Sequence, residues 1–583
     1  MDWKRFDKAR RGASPIELDL IESYAQGKIK RRDFVKRGTI IGLSVPFMGG
    51  IIAACGSDGG DSDDADEGAS SSGTSPASSG ATGGTLTAGI QAGDANSGLD
   101  PVNMLDLGTY AVVSQAFEYL VGLGSDGNIG ATALATSWTP NDDATQWTFN
   151  LREGVTWQEG GDPLTSADVA ATIDRMVEVG AGLAGVVSEG AVETPDDLTA
   201  VVNLDAANGN LPVLLSLFNP QSLVTPTDYS NGTVLNERPT GTGAWMLQDF
   251  DPTEFRATYV PNPNWWGGSV NLDEVILRGF EGGGTKVAAF ESGELDVLQD
   301  FSISDGAQLL EDDDISVLVP PSSNHRQLWF NTQLPDGGPF TDPRVRQAVC
   351  YAINREQIID TVYEGQAILG NDHPVFPTLP FFDDTQEQRP FDPEMARQLL
   401  SDAGYPDGLE STFQIGDLGE IPAIARIVEQ NLADVGIRTP VNVTPNSDFY
   451  GEFWCAGAEW GSQPDTGGPG VPCGASADIG LVDYGHRPVP DIFFGRALAT
   501  DGDWNSSNYA SSEFDSLFSQ YQGAVDVAGQ QEAVGQIQRL LHEDAPACYP
   551  FFFNYLSAHS SAVSGLEVTA LGHLQLQNTS IEQ

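Results

Sequence analysis

The residues of this chain that could do chemistry are few, and their spacing excludes most catalytic designs. No Gly-x-Ser-x-Gly, Ser-x-x-Lys or His-Glu-x-x-His run occurs in the folded region, so the usual arrangements of serine hydrolase and zinc protease are missing. The six histidines are scattered and no Cys-x-x-Cys occurs, which speaks against a zinc site or any other metal cofactor. Gly282-Gly283-Gly284-Thr285-Lys286 lacks the glycine-to-lysine spacing of a phosphate loop, and no Ser or Thr follows Lys286. Motif absence leaves open a paired-carboxylate glycosidase in a chain with 82 acidic residues. Phe449, Tyr450, Phe453, Trp454 and Trp460 form an unusually aromatic stretch. Its rings either stack on sugar faces and apolar side chains or pack as a helix and hairpin.

The reactive thiol that matters most is Cys55. Ile52-Ala53-Ala54-Cys55 resembles the lipobox at which bacterial lipoproteins are cleaved and acylated, which would make Cys55 the mature, lipid-bearing N-terminus. Upstream, Lys30-Arg31-Arg32-Asp33-Phe34-Val35-Lys36 resembles the twin-arginine export signal, with Arg31 and Arg32 as the guanidinium pair its receptor reads. The run from Thr39 to Ala54 is broken by Gly42, Pro46, Gly49 and Gly50. It falls short of the about 20 apolar residues of a permanent span, and reads as a signal h-region. Residues 56–84, nearly all Gly, Ser, Asp, Ala and Thr, cannot bury apolar surface and read as a flexible tether. The folded part is therefore expected outside the cytoplasm, held at the membrane by lipid.

Beyond Cys55 the chain has 17 basic residues (28 − 11) against 76 acidic ones (82 − 6), a net charge of −59, and its one remaining lysine is Lys286. Such a surface repels phosphate backbones and excludes nucleic acid as a partner. It reads as a solubility device rather than a cation-binding surface, charge spread along the whole chain pointing at no one site, and it suggests adaptation to salt water, where screening weakens self-repulsion. About 500 residues exceed what one core holds and suffice for two or three lobes. Cys455 and Cys473 bracket a Gly- and Pro-rich segment and are expected to form a local disulfide outside the cytoplasm. Cys350, in an apolar helical stretch, and Cys548, between Pro546 and Pro550, read as buried thiols.

The elements that must position any site alternate between strand and helix. Thr85 to Ile90 and Trp147 to Leu151 have strand periodicity. Thr165 with Asp168 three residues on caps a helix carrying Val169, Ile173 and Met176. Asp392-Pro393 opens a helix that Gly404 closes; Pro422 to Val435 forms another, stopped by Gly436; and Val441-Asn442-Val443 comes next as a strand. This alternation implies α/β lobes.

Along the same region the residues resemble the extracytoplasmic solute-binding proteins of peptide and nickel ABC transporters, the dipeptide and oligopeptide receptors of solute-binding family 5. The markers include Leu99-Asp100-Pro101, Leu134 to Trp138, Trp147 to Val155, Pro163 to Val169 and Gly241-Thr242-Gly243-Ala244-Trp245. Asn262 to Gly268, Ser292 to Val297, Phe330-Asn331-Thr332, Asp342 to Ala348 with Ala352 to Arg355, and Ala396 to Tyr405 continue in the same order. Several also have scaffold readings: Asn354 caps a helix with Gln357 closing the box, Gly241 and Gly243 allow close backbone approach, Arg344 and Arg346 make ion pairs, and Trp265 and Trp266 pack at a lobe edge.

The resemblance implies a periplasmic-binding-protein-like fold (type II, the large peptide-binding class): two α/β lobes, an extra subdomain in the first, and a ligand cleft between them. The expected layout is signal 1–55, linker 56–84, lobe 1 at 85–327 with the inserted subdomain at about 121–235, lobe 2 at 328–548, and a return to lobe 1 at 549–583. The crossings are expected near Gln327 to Asn331 and Ala545 to Phe553. Within the family an aspartate after a short apolar segment holds the ligand's ammonium group, which points here to Asp483 in Leu481-Val482-Asp483-Tyr484. The tryptophan often found just before that aspartate is Gly480 here, and Gly485-His486-Arg487 extends the next loop. Tyr484, Trp454 and Trp460 are further candidate lining residues, with Asp106 and Tyr110 on the first-lobe wall. The implied function is a non-enzymatic, monomeric receptor that passes a peptide to an ABC permease. An oligosaccharide or metal chelate is the alternative ligand, and a surface hydrolase the remaining class.

Overall fold

The computed structural model describes residues 83–582 except 94–97, 105, 124–128, 131–132, 184, 334–336, 380, 455–476, 488, 501 and 503. Arg31, Arg32, Cys55, Cys455, Trp460 and Cys473 lie outside the described residues.

A first seven-stranded sheet has the order Ile315–Leu318, Ser557–Ser560, Val297–Leu298, Thr85–Gln91, Glu274–Phe280, Arg256–Pro261, Trp245–Asp251. Its centre is Thr85–Gln91, parallel to both Glu274–Phe280 and Val297–Leu298. Leu86, Ala88 and Ile90 alternate into a fully buried core, the period-2 pattern of a strand covered by helix on that face. A separate antiparallel sheet, Ala135–Pro140, Gln146–Leu151, Thr199–Asn203, Val192–Asp196, is covered by the helix Ser166–Val179, whose Asp168 accepts from the Thr165 amide at 2.8 Å. The second large sheet runs Ala367–Leu369, Phe551–Phe553, His325–Phe330, Ile479–Tyr484, Phe413–Gly416, Val441–Thr444, with Ala547–Cys548 also paired to His325–Phe330. The helices Pro343–Ala352, Pro393–Asp402 and Ile421–Asp434 pack their buried faces on it.

The chain leaves the first sheet after Leu318 and enters the second at His325, then leaves the second after Phe553 and rejoins the first at Ser557. The residues expected as crossings, Gln327 to Asn331 and Ala545 to Phe553, are instead largely strands of the second sheet. The two passages are 319–324 and 554–556, because backbone groups in an apolar strand such as Leu328-Trp329-Phe330 need sheet partners.

The scaffold readings acquire partners. A Cβ on Gly241 would sit 2.0 Å from the Ala116 carbonyl oxygen, and the Gly243 amide donates to that oxygen at 2.8 Å, so the close approach does require glycine. Asn354 caps its helix through the Gln357 amide (3.0 Å), but its own amide is bonded by Asn431 (2.9 Å), a residue from the helix Ile421–Asp434, rather than by Gln357. Arg344 pairs with Asp342, while Arg346 is bonded to the carbonyls of Phe340, Asp544 and Ala545. The indoles of Trp265 and Trp266 both donate to the buried Glu118 carboxyl (3.2 and 2.9 Å), with Arg152 4.0 Å over the Trp266 ring. Burial nevertheless pushes that carboxyl up to about 7.

Cys350 and Cys548 are a disulfide, not buried thiols. Pairing of Ala547–Cys548 with His325–Phe330 lays Cys548 over the helix Pro343–Ala352, bringing the two Cα atoms to 5.7 Å although 198 residues separate them. Asp372 lies beside the two sulfurs, but it is bound by Arg355 (2.8 Å) and Arg389 (2.6 Å), and the oxidised sulfurs offer no thiolate to a metal. Closing so long a loop restricts the unfolded chain, so Cys350→Ala with Cys548→Ala should cost about 2–5 kcal/mol. Thermal unfolding with and without reductant checks this; a melting temperature indifferent to reductant would contradict the bond.

Candidate functional site

The strand Ile479–Tyr484 lies antiparallel to His325–Phe330, with Asp483 opposite Arg326, Gly480 opposite Trp329 and Tyr484 opposite His325. Period-2 alternation sends Ile479, Leu481 and Asp483 toward one face and Gly480, Val482 and Tyr484 toward the other. Ile479 and Leu481 join the core under the helices, and Val482 and Tyr484 join an aromatic cluster on the opposite face. Asp483 and Tyr484 therefore leave the strand on opposite faces, and Tyr450 links them, bonding Asp483 while it packs in the aromatic cluster that holds Tyr484.

Asp483 is half-buried, and Tyr450 donates a hydrogen bond to its Oδ1. Its Oδ2 has no hydrogen-bond partner among the described residues. The facing Arg326 is already committed to Glu420, at 2.6 Å through Nη2 and 2.9 Å through Nε, and lies 4.6 Å over the Phe553 ring. Tyr363 donates to the same Glu420 oxygen at 2.6 Å. Burial pushes the Glu420 carboxyl up, but Arg326 and Tyr363 outweigh it and hold the group below its ordinary range.

On the other face the rings form a chain. Tyr484 stacks on His325 at 5.3 Å, meets Phe493 edge-on at 5.6 Å and is tilted to Trp504 at 6.1 Å. Trp504 continues to Trp454 (6.3 Å), which meets Tyr450 edge-on (5.1 Å), and Arg496 covers Trp504 at 3.7 Å. Trp454 and Tyr484 are thus brought together through Trp504, a residue that no sequence motif singles out. His325 is fully buried among Tyr484, Phe493, Tyr549 and Phe552, and burial pushes its pKa down to about 3. Gly480 explains the missing tryptophan. A Cβ there would lie 2.1 Å from the Trp329 ring, so the indole comes from the neighbouring strand.

From the first lobe, Asp106 is the N-cap of the helix Leu107–Ala116, accepting from the Thr109 amide (2.7 Å) and hydroxyl (2.9 Å). The half-buried Tyr110, one turn on, stacks at 6.4 Å on His573, which is fixed by Tyr119 (2.9 Å) and Thr569 (3.0 Å). Burial raises the Tyr110 phenol, and the Arg487 guanidinium opposes that rise. The lobes also touch directly. Asn210 donates to Asp491 Oδ2 at 2.8 Å and accepts from Gln530 at 2.9 Å, while Phe218 meets His486 edge-on at 6.1 Å.

Asp491 is a proton-sensitive part of that contact. Its Oδ1 is buried without a hydrogen-bond partner among the described residues, and burial pushes its pKa from 3.8 to about 7 despite the Asn210 bond. The folded state therefore holds the proton more tightly than the unfolded chain, and this stabilisation is lost as pH rises from 3.8 to about 7. Relative to wild type, Asp491→Asn should show a melting temperature that falls less over this window. Parallel curves for the two proteins in scanning calorimetry would refute the assignment.

The family model described as "Bacterial extracellular solute-binding proteins, family 5 Middle" matches residues 131–471, more than half of the chain. Heme-binding protein A of Haemophilus influenzae is 26% identical over 483 residues, covering 77% of this chain and 84% of the relative. Glutathione-binding protein GsiB of Salmonella paratyphi A is 25% identical over 477 residues, covering 80% and 89%. Among solved structures, the periplasmic binding protein DppA of Helicobacter pylori in complex with peptide STSA superposes with a TM-score of 0.66 at 22% identity, over 86% of this chain and 99% of that one. No helix among the described residues is long and apolar enough to cross a membrane. With its two α/β lobes and the sequence match across more than half its length, the chain belongs to the bacterial extracellular solute-binding proteins of family 5, receptors that work with ABC importers.

Proposed function

We propose that this protein is a monomeric receptor, exported by the twin-arginine route and anchored through acylated Cys55, that captures a peptide between its lobes and delivers it unaltered to an ABC permease. The observation that carries the peptide reading is Asp483. One carboxylate oxygen accepts from Tyr450 and the other has no partner among the described residues, beside the rings of Tyr450 and Trp454. A half-buried carboxylate with a spare acceptor next to aromatic surface suits an ammonium-bearing solute with apolar side chains. A relative named for glutathione and a neighbour holding a peptide are in keeping with this ligand class. Contacts between the lobes, Asn210 with Asp491 and Phe218 with His486, favour a cleft in which closure and binding are coupled.

A solute that binds only the folded protein raises its stability by RT ln(1 + [L]/Kd), about 2.7 kcal/mol at a hundredfold excess over Kd. A thermal-shift screen of dipeptide, longer-peptide and oligosaccharide pools should show stabilisation by peptides and no turnover by mass spectrometry. Stabilisation by oligosaccharides alone would replace the ligand class, and product formation would replace the receptor reading.

Asp483→Asn should weaken an ammonium-bearing peptide by about 1.5–3 kcal/mol while leaving the unliganded melting temperature within a few degrees of wild type. Calorimetric titration that finds equal affinity would remove Asp483 from the site.

A further inference from the structure

The segment 208–218 carries the small antiparallel sheet of the first lobe onto the second lobe. On its own side it is anchored by Trp147, whose Nε1 donates to the Asn208 carbonyl at 2.9 Å, and by the Asn210 amide, which donates to Asn208 Oδ1 at 2.7 Å. Across the seam the Gly209 amide donates to the Gln522 carbonyl at 2.6 Å, near the end of the helix Ser512–Gly523. A Cβ on Gly209 would sit 2.0 Å from the Ala524 carbonyl oxygen, so this backbone contact needs glycine. Val213 and Phe218 complete the seam by joining the apolar cluster of Phe494, Tyr521 and Val534.

Within this seam lies a carboxyl group that no cation meets. Asn210 donates to Asp491 Oδ2 at 2.8 Å and accepts from Gln530 of the helix Val527–Asp544 at 2.9 Å, while Asp491 Oδ1 is buried with no hydrogen-bond partner among the described residues. The titratable groups around it carry no charge. Tyr521, from the helix Ser512–Gly523, is fully buried, and burial raises its phenol further. His486, edge-on to Phe218, is buried and neutral, its pKa pushed down to about 3. Its Nδ1 accepts from the Ser323 amide at 3.0 Å, which ties this side of the seam to the passage 319–324 between the lobes. The segment 208–218 itself contains no charged residue. A carboxylate withdrawn from water onto one neutral donor is unfavourable, whereas the protonated acid keeps the Asn210 bond and loses its charge.

We propose that the segment 208–218 is a proton-operated latch: Asp491 takes up a proton as the lobes close on it and releases it as they part, so the receptor holds its solute more tightly in acid than at neutral pH. The inference rests on the receptor reading above and adds its regulation. When the seam opens, water reaches Asp491 and its carboxyl returns to the ordinary range. Closure is therefore linked to one proton. It is fully favoured below 3.8 and weakens as the pH rises to about 7, above which Asp491 is ionised with the seam open or shut. Since a solute bound between the lobes draws on the closed population, its affinity follows the same dependence.

The test compares wild type with Asp491→Asn, which keeps the shape of the side chain and stays uncharged. Without solute, the radius of gyration from small-angle X-ray scattering should grow for wild type between pH about 5.5 and about 7, and stay at the compact value for Asp491→Asn. In calorimetric titration with a dipeptide pool, wild-type affinity should fall by up to about 15-fold over the same interval, with a proton taken up on binding, and Asp491→Asn should show neither. The peptide termini do not change charge in this interval. A wild-type radius and affinity indifferent to pH, or a pH dependence that Asp491→Asn shares, overturns the proposal and leaves the receptor reading intact. If no dipeptide binds, the peptide reading fails by itself and scattering alone decides the latch. Should Asp491→Asn fail to fold, Gly209→Ala supplies the second arm, because its added carbon collides with the Ala524 carbonyl only when the seam is shut. That variant must show the larger radius already at pH about 5.5, and a compact radius there counts against the proposal.

Discussion

The pairing of His325–Phe330 with Ile479–Tyr484 is the constraint on which the candidate site depends. One register places Trp329 over Gly480, Arg326 opposite Asp483 and His325 opposite Tyr484, and a slip of one residue would exchange every side chain between the helix-covered face and the aromatic face. Gly480 enforces that register sterically, since any side chain there would collide with Trp329. Fixing the strands also fixes the adjoining loop, because Gly485 to Arg487 continue directly from Tyr484 and are clamped by Ser323, just before His325.

Electrostatics divide the molecule into a dispersed surface and a few concentrated interior groups. Most carboxylates are solvated and add little beyond solubility, as exposed charges do. Inside, carboxyl groups are managed in two ways. Asp372 takes two guanidinium partners and Glu420 takes Arg326 and Tyr363, which keep both below their ordinary range despite burial. Glu118 and Asp491 have only neutral hydrogen-bond donors and are pushed up to about 7. Asp491 lies where the lobes meet, so the second arrangement makes part of the interlobe contact sensitive to protonation.

Much of the fold was legible because local signals agreed with one another. Thr165 with Asp168, Asp392 with Pro393, Gly404 and Gly436 bound the helices where capping chemistry places them. Collinear markers over most of the chain pointed to the family to which it belongs. Less of the site was legible. Asp483, Tyr484, Trp454, Tyr450 and Tyr110 were named from the resemblance and the aromatic run, but the bond of Tyr450 to Asp483 and the ring partners Trp504 and His573 are set by long-range packing.

By itself the sequence determined the alternation of strand and helix, the division into lobes, the absence of the common hydrolase and zinc motifs, and the lipobox-like Cys55, because each is written in neighbouring residues or in composition. Tertiary structure decided that Cys350 and Cys548 join, that the crossings lie at 319–324 and 554–556, and that Trp329 fills the space of Gly480. Each of those outcomes depends on which distant segments share a sheet or face each other across the cleft, and contacts between residues tens to hundreds of positions apart have no local signature.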